Sequence, residues 1–240
     1  MADLKKEKAW MEELLLDERF FEQVHENGNL DRLLSLSPHL LAMKDFEQKN
    51  PHHCYDLLYH SLHAVDHVDR ALCLDDETYR LLRIAALWHD TGKVPAMTEV
   101  EKDGKVVRHF YGHAELSSKM ADEFFEEMGY PEEERKLLSF YTGAHDGFMQ
   151  VKVEEKALRK LMRKYAKNHP QQDVSAEMFL RLIPLMKADA MSQAEVVYDN
   201  EGNVINSREM KVKRLDEIAD ILKTMGAETF KIDDSNGERK

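Results

Sequence analysis

Two cysteines in 240 residues, Cys54 and Cys73, are too few for a disulfide framework and form no metal-type pair. A reducing, cytoplasmic setting is the default expectation for such a chain. Long apolar runs are missing as well: nothing approaches the roughly 20 residues of a membrane span. The opening Met1-Ala2-Asp3-Leu4-Lys5-Lys6-Glu7-Lys8 has no apolar signal region behind it, so neither export nor membrane attachment is expected. There are no repeats and no low-complexity linker. Positive charge is in deficit, with a net charge of −12, which disfavours a broad nucleic-acid-coating surface. A small positive pocket for one phosphate group remains compatible with that balance.

What is present reads as one helical domain. Hydrophobic residues make up 42% and charged residues 33%, ordinary for a globular protein with a solvated surface. Leu4 to about Val24 is one amphipathic stretch, with Leu4, Met11, Leu14, Leu15, Phe20 and Phe21 in a stripe. Glu26-Asn27-Gly28-Asn29 and Ser37-Pro38 interrupt the chain, and Asn50-Pro51 is expected to open a new element. Apolar spacing predicts helices over Tyr55–Leu74, from Asp75-Asp76-Glu77 to Trp88, and from Ala114 to Met128. Others are expected from Pro131 toward Tyr141, and over Glu154–Lys167, Ala176–Gln193 and Ser207–Met225. Two short hairpins are expected, one around Asp103-Gly104 and one around Asn200-Glu201-Gly202-Asn203.

The chemistry concentrates at His89-Asp90, which follow the apolar run Leu81-Leu82-Arg83-Ile84-Ala85-Ala86-Leu87-Trp88. A helix that should be buried thus delivers an imidazole and a carboxylate side by side. His60, His113 and His145 stand at helix-sized intervals around the pair, and Asp189 follows. Nitrogen and oxygen donors from several helices are what a divalent-metal site requires. Three histidines, His60, His63 and His67, share roughly one helix face. They are costly on an otherwise apolar helix without polar partners or a metal. His60 is the candidate ligand among them, and His63 and His67 are expected to be partly exposed or outside the first layer. Gly92 is read as the residue that lets the chain turn away after the pair. Lys93 then reaches back beside an anionic substrate, the alternative being a cation answering the helix dipole.

Two further features have blander readings. Lys156, Arg159, Lys160, Arg163, Lys164 and Lys167 make one helix basic, either a track for an RNA backbone or, as preferred, a solvated face. Trp88, Phe110, Tyr111 and Phe148 flank proposed ligands. Packing is their expected role, with stacking on a base as the alternative.

His60-Ser61-Leu62, Ala86-Leu87-Trp88-His89-Asp90-Thr91-Gly92-Lys93 and Ala188-Asp189 together resemble the HD-domain metal-dependent phosphohydrolases. Pro51-His52-His53-Cys54-Tyr55-Asp56, Phe110-Tyr111-Gly112-His113 and Lys187-Ala188-Asp189-Ala190-Met191-Ser192-Gln193 are similar, more narrowly, to the HD domain of bacterial tRNA nucleotidyltransferases. The likeness runs from about Gln48 to Gln193. It implies an all-α HD-domain helical bundle carrying one or two small β-hairpin insertions. The expected division is a helical extension over 1–50, the HD domain over 51–225 and a flexible tail over 226–240.

The resemblance also implies that His60, His89, Asp90 and Asp189 hold one divalent ion. In two-metal members the residues matching His113 and His145 complete a second site and the one matching Asp90 bridges. Asp146 is held in reserve as an alternative ligand. Imidazoles and carboxylates without thiolate suit Mn, Fe, Co, Ni, Zn or Mg and fit a structural zinc site poorly. The expected reaction is hydrolysis of a nucleotide phosphomonoester or phosphodiester by a metal-activated hydroxide. Asp90 and Lys93 are the catalytic candidates, and Lys93, Arg108 and His109 the candidates for phosphate binding. A paired-aspartate motif after a Gly-Ser turn is missing ahead of the match, so CCA addition is not expected. The Glu-Asp motif of guanosine-tetraphosphate hydrolases is absent too. The competing class is a non-catalytic module that binds RNA or a nucleotide. A small nucleotide or phosphoester is the expected partner, RNA the less favoured one.

Overall fold

The computed structural model describes residues 2–102, 104–149, 151–169, 172–199 and 201–230. Asp103 and Asn200, expected in the two hairpin turns, and residues 231–240 of the tail lie outside them. The fold is helical, as expected, with a few short antiparallel strands. Among the described residues no helix is long and apolar enough to cross a membrane.

The N-terminal stripe is two helices rather than one. α1 spans Ala2–Leu16 and α2 spans Phe20–Gln23. The break has a cause in the side chains: buried Arg83 donates to the carbonyls of Leu15 and Asp17, and the Asp17 carboxylate accepts from Arg19 N at 2.7 Å. A guanidinium satisfies the carbonyls that end α1, which favours stopping there. Met11, Leu15 and Phe20 enter the same hydrophobic core as the rest of the protein. α3 (Asn29–Ser35) and α4 (Pro38–Leu41) follow. Asn50-Pro51 opens no helix. α5 (Leu57–His67) begins six residues later, where Asp56 caps it by accepting from Tyr59 N at 2.8 Å. α5 also stops short of Leu74, because Val68 is extended and a single 3-10 turn (Arg70–Leu72) intervenes.

α6 (Asp76–Trp88) is the central helix, buried from Leu81 to Trp88. Its cap, Asp75, accepts from Thr78 N and is paired with Arg181 at 2.7 Å. Those hydrogen bonds hold the Asp75 carboxyl down at about 2. α7 (Lys93–Ala96) leads into β1 (Thr98–Lys102) and β2 (Lys105–His109), the first expected hairpin. α8 (His113–Glu127), α9 (Glu132–Ala144) and α10 (Glu155–Asn168) come next. α9 runs past the expected end at Tyr141, and the extra turn is what carries the chain to His145.

Beyond β3 (Val174–Ser175) lies α11 (Ala176–Met191), packed on α5, α6 and α12 (Arg208–Met225). The second expected hairpin is β4 (Val196–Tyr198) with β5 (Val204–Ser207). One sheet was not foreseen. β6 (Thr229–Phe230) pairs with β3, and Phe230 is buried in the core. The start of the segment expected to be a flexible tail is therefore anchored, because an aromatic side chain there has apolar surface to bury.

Candidate metal centre

Five helices end or pass at one point. α6 delivers His89 at its C-cap and Asp90 beyond it, α5 contributes His60 from its first turn, and α11 contributes Asp189 near its end. His113 opens α8 and His145 caps α9. Each imidazole is oriented by a backbone carbonyl on its Nδ1: Ser192 for His60 (3.1 Å), Ala86 for His89 (2.7 Å), Phe110 for His113 (2.9 Å) and Thr142 for His145 (2.7 Å). A carbonyl only accepts, so every Nδ1 carries a proton and every neutral ring turns a bare Nε2 lone pair inward.

Those lone pairs and two carboxylates form two sets. In the inner set His60 Nε2 lies 3.2 Å from His89 Nε2, 3.2 Å from Asp90 Oδ2 and 3.1 Å from Asp189 Oδ1. His89 Nε2 is 3.2 Å from Asp90 Oδ2 and 3.7 Å from Asp189 Oδ1. In the outer set His113 Nε2 is 3.3 Å from both His145 Nε2 and Asp90 Oδ1, and His145 Nε2 is 3.5 Å from Asp90 Oδ1. An ion bound at about 2.1 Å holds its ligand atoms about 3–3.5 Å apart. The residues therefore fit a divalent cation in both sets. Asp90 Oδ1, which is buried without a hydrogen-bond partner among the described residues, fits the same conclusion.

Electrostatics follow the burial. Burial alone would raise the carboxyls of Asp90 and Asp189. The charges of His89 and Lys93 beside Asp90, and hydrogen bonds from His60 and His89 to Asp189, hold both well below the ordinary carboxylate value. Burial opposes charge on His60 and His89 too, yet the two carboxylates outweigh it and raise each imidazole to about 9.

Lys93 is buried against the centre with its Nζ 2.7 Å from Asp90 Oδ2, 2.9 Å from Gln48 Oε1 and 3.4 Å from His53 Nε2. Gln48 and His53 come from the strap between α4 and α5. His53 was legible only as part of a motif string, and nothing in the sequence singled out Gln48. Behind Asp189, Gln193 donates to Oδ1 at 2.9 Å, and buried Lys211 donates in turn to Gln193. A lysine one helix away leaves no local spacing signal, so this support was missed. His63 and His67 lie apart from the candidate ligands: His63 is stacked between Phe21 and Tyr55, each 4.3 Å away.

Gly92 does a different job from the one expected. Its φ of −68° is ordinary right-handed helix. A Cβ there would stand 2.2 Å from the carbonyl oxygen of His113 and 2.6 Å from Ser117 N. Gly92 is the place where α8 presses its backbone against the chain after Asp90, and its own N donates to Ser117 Oγ at 2.8 Å.

An open cavity of about 320 Å³ meets the centre. Asp90, His113, His145 and Asp189 reach its wall, together with Lys93, Arg108, His109, Tyr111 and Asp146. Arg108 is committed to the hairpin, bonded to Glu99 at 2.9 Å and to the carbonyl of Glu47. Trp88 and Phe148 are buried and Phe110 half-buried, as packing residues. Tyr111 is not a packing residue, with 80% of its surface exposed. On the basic helix α10, Arg159 is bonded to Glu155 and Glu228.

The HD domain family matches residues 52–221, more than half of the chain. The protein belongs to the HD-domain family, within a superfamily of metal-dependent phosphohydrolases. No curated protein matches the chain.

Proposed function

We propose that this protein is a metal-dependent phosphohydrolase of nucleotide phosphomonoesters or phosphodiesters, with two divalent ions held by the inner and outer donor sets. The observation that carries the reading is the division of Asp90, with Oδ2 among the inner donors and Oδ1 among the outer ones. A carboxylate so placed would hold one cation on each oxygen. Ions bound in such a pair supply Lewis acidity, lowering the pKa of water and neutralising charge on a phosphoryl oxygen.

The chain's own groups prepare that chemistry. Carbonyls fix the four rings, so no tautomer change is needed before the Nε2 atoms donate. Lys93 neutralises and orients Asp90 through its contact with Oδ2 while adding positive charge at the cavity wall. His109 and Arg108 line the same wall, where a phosphate would enter. The nucleotide as substrate rests on the sequence resemblance to HD domains of bacterial tRNA nucleotidyltransferases. A binding-only role through α10 is less favoured, since Arg159 already serves Glu155 and Glu228.

The test is phosphate or nucleoside release from 2′,3′-cyclic, 2′- and 5′-nucleotides, dinucleoside polyphosphates and bis(p-nitrophenyl) phosphate, with Mn, Co, Ni or Mg. Asp90→Ala protein serves as the blank. The expected result is turnover that falls by about 10³-fold or more in the blank. Equal turnover in the blank, or none from protein shown to carry metal, contradicts the reading.

A further inference from the structure

Tyr111 is the most exposed of the large hydrophobic side chains among the described residues, at 80%, and it stands on the wall of the cavity that reaches the metal centre. Its surroundings are fixed. Phe110 packs toward Phe46 with ring centroids 6.1 Å apart, and its carbonyl accepts from His113 Nδ1 at 2.9 Å. Gly112 then takes a left-handed φ of 76° before α8 begins, a conformation glycine adopts at little cost. The chain is thus pinned on both sides of Tyr111 while the phenol ring is turned outward. His109, the last residue of β2, lies parallel to it, with centroids 5.5 Å apart and planes 10° from coplanar. With 80% of its surface exposed and a second flat ring behind it, the Tyr111 side chain buries little against the protein and leaves its outer face free. A planar ligand is what such a surface receives.

We propose that Tyr111, supported by His109, is a stacking platform for the nucleobase of the substrate, so that the centre takes base-bearing phosphoesters in preference to base-free ones. The proposal rests on the phosphohydrolase reading for the identity of the phosphate site. The cavity, at about 320 Å³, is at the lower end of the range for small-ligand sites, about 300–1,000 Å³. That suits one nucleotide with its base at the rim and its phosphate inward. Stacking is tolerant of base identity because every base offers a π face, so the platform selects for a base without choosing which.

The experiment compares adenosine 5′-monophosphate with ribose 5-phosphate, which carries a hydroxyl where the nucleotide has its base, by calorimetric titration of the protein with and without Mn(II). Wild type is expected to bind the nucleotide about tenfold more tightly. Tyr111→Ala should abolish that preference while leaving ribose 5-phosphate affinity and the melting temperature unchanged, and Tyr111→Phe should retain it. No preference in wild type, or an undiminished one in Tyr111→Ala, overturns the proposal. Hydrolysis scored in parallel separates the two ideas. Turnover without a Tyr111-dependent base preference sinks the platform alone. A Tyr111-dependent preference without turnover of any ester sinks the phosphohydrolase reading alone.

Discussion

Of the inner donors, the imidazoles His60 and His89 are wholly buried and do not reach the cavity wall, which that set meets through Asp189, whereas both outer imidazoles, His113 and His145, line it. Four protein atoms from three helices crowd the inner point. Three crowd the outer one, where the His113 side chain keeps 15% exposure. Metal sites closed by protein ligands serve mainly to hold an ion, while chemistry needs a position left open for water or substrate. On the proposed reading, the sealed imidazoles give the inner set an anchoring task and leave the reacting face to the outer set. Asp90 lies between the two sets, with Lys93 buried against its Oδ2.

That contrast can be broken most severely at Gly92. Gly92→Ala places a methyl group into the backbone of α8, and we expect a loss of about 3 kcal/mol of stability in denaturant titration. Because the clash is with His113 and Ser117, the outer set should lose its metal even in the folded fraction. A variant as stable as wild type would show that α8 does not press on this residue. Next in size is His113→Ala. Outer-ion affinity should fall by more than about 10²-fold, with inner-ion affinity unchanged, as read by metal titration. Equal loss at both sites would dissolve the distinction.

A further effect is in pH and concerns the inner set. His60 and His89 hold protons up to about 9 in the metal-free centre, and an incoming ion must displace them. Inner-site affinity should therefore rise with pH, by about tenfold per unit for each proton displaced, and level off near pH 9. The sign for metal-free stability is opposite. These imidazoles are raised above their ordinary 6.5, so their contribution is complete below about pH 6.5 and lost as pH climbs through 9. The carboxylates, depressed below 3.8, contribute above that value and lose their effect as pH falls through their lowered pKa. A metal affinity that is flat from pH 6 to 9 would contradict the proton competition.

The candidate donors that the fold brings together were legible in the sequence because a helical period and polar residues at its buried end leave a local signature. His89-Asp90 after an apolar run, and His60 on a face shared with other histidines, are visible without a structure. Groups that act across elements leave no such trace. Gln48 reaches Lys93 from a strap, and Lys211 reaches Asp189 through Gln193. Gly92 was read as a turn residue since glycine most often supplies backbone freedom, yet its role here is the space a side chain would fill. Helix ends set by tertiary partners were missed likewise, as at Leu16, where Arg83 from α6 decides the stop. β6 escaped notice because two residues carry no period.

The claim on which the rest depends is that Asp90 joins two ions. Electron paramagnetic resonance of the Mn(II)-loaded protein addresses it directly, since two Mn ions sharing a carboxylate are exchange-coupled. Wild type should bind two Mn per chain and give a coupled multiline spectrum, and His113→Ala should give the six-line signal of one isolated ion. A six-line spectrum from wild-type protein saturated with Mn, or a single ion per chain, would contradict the account.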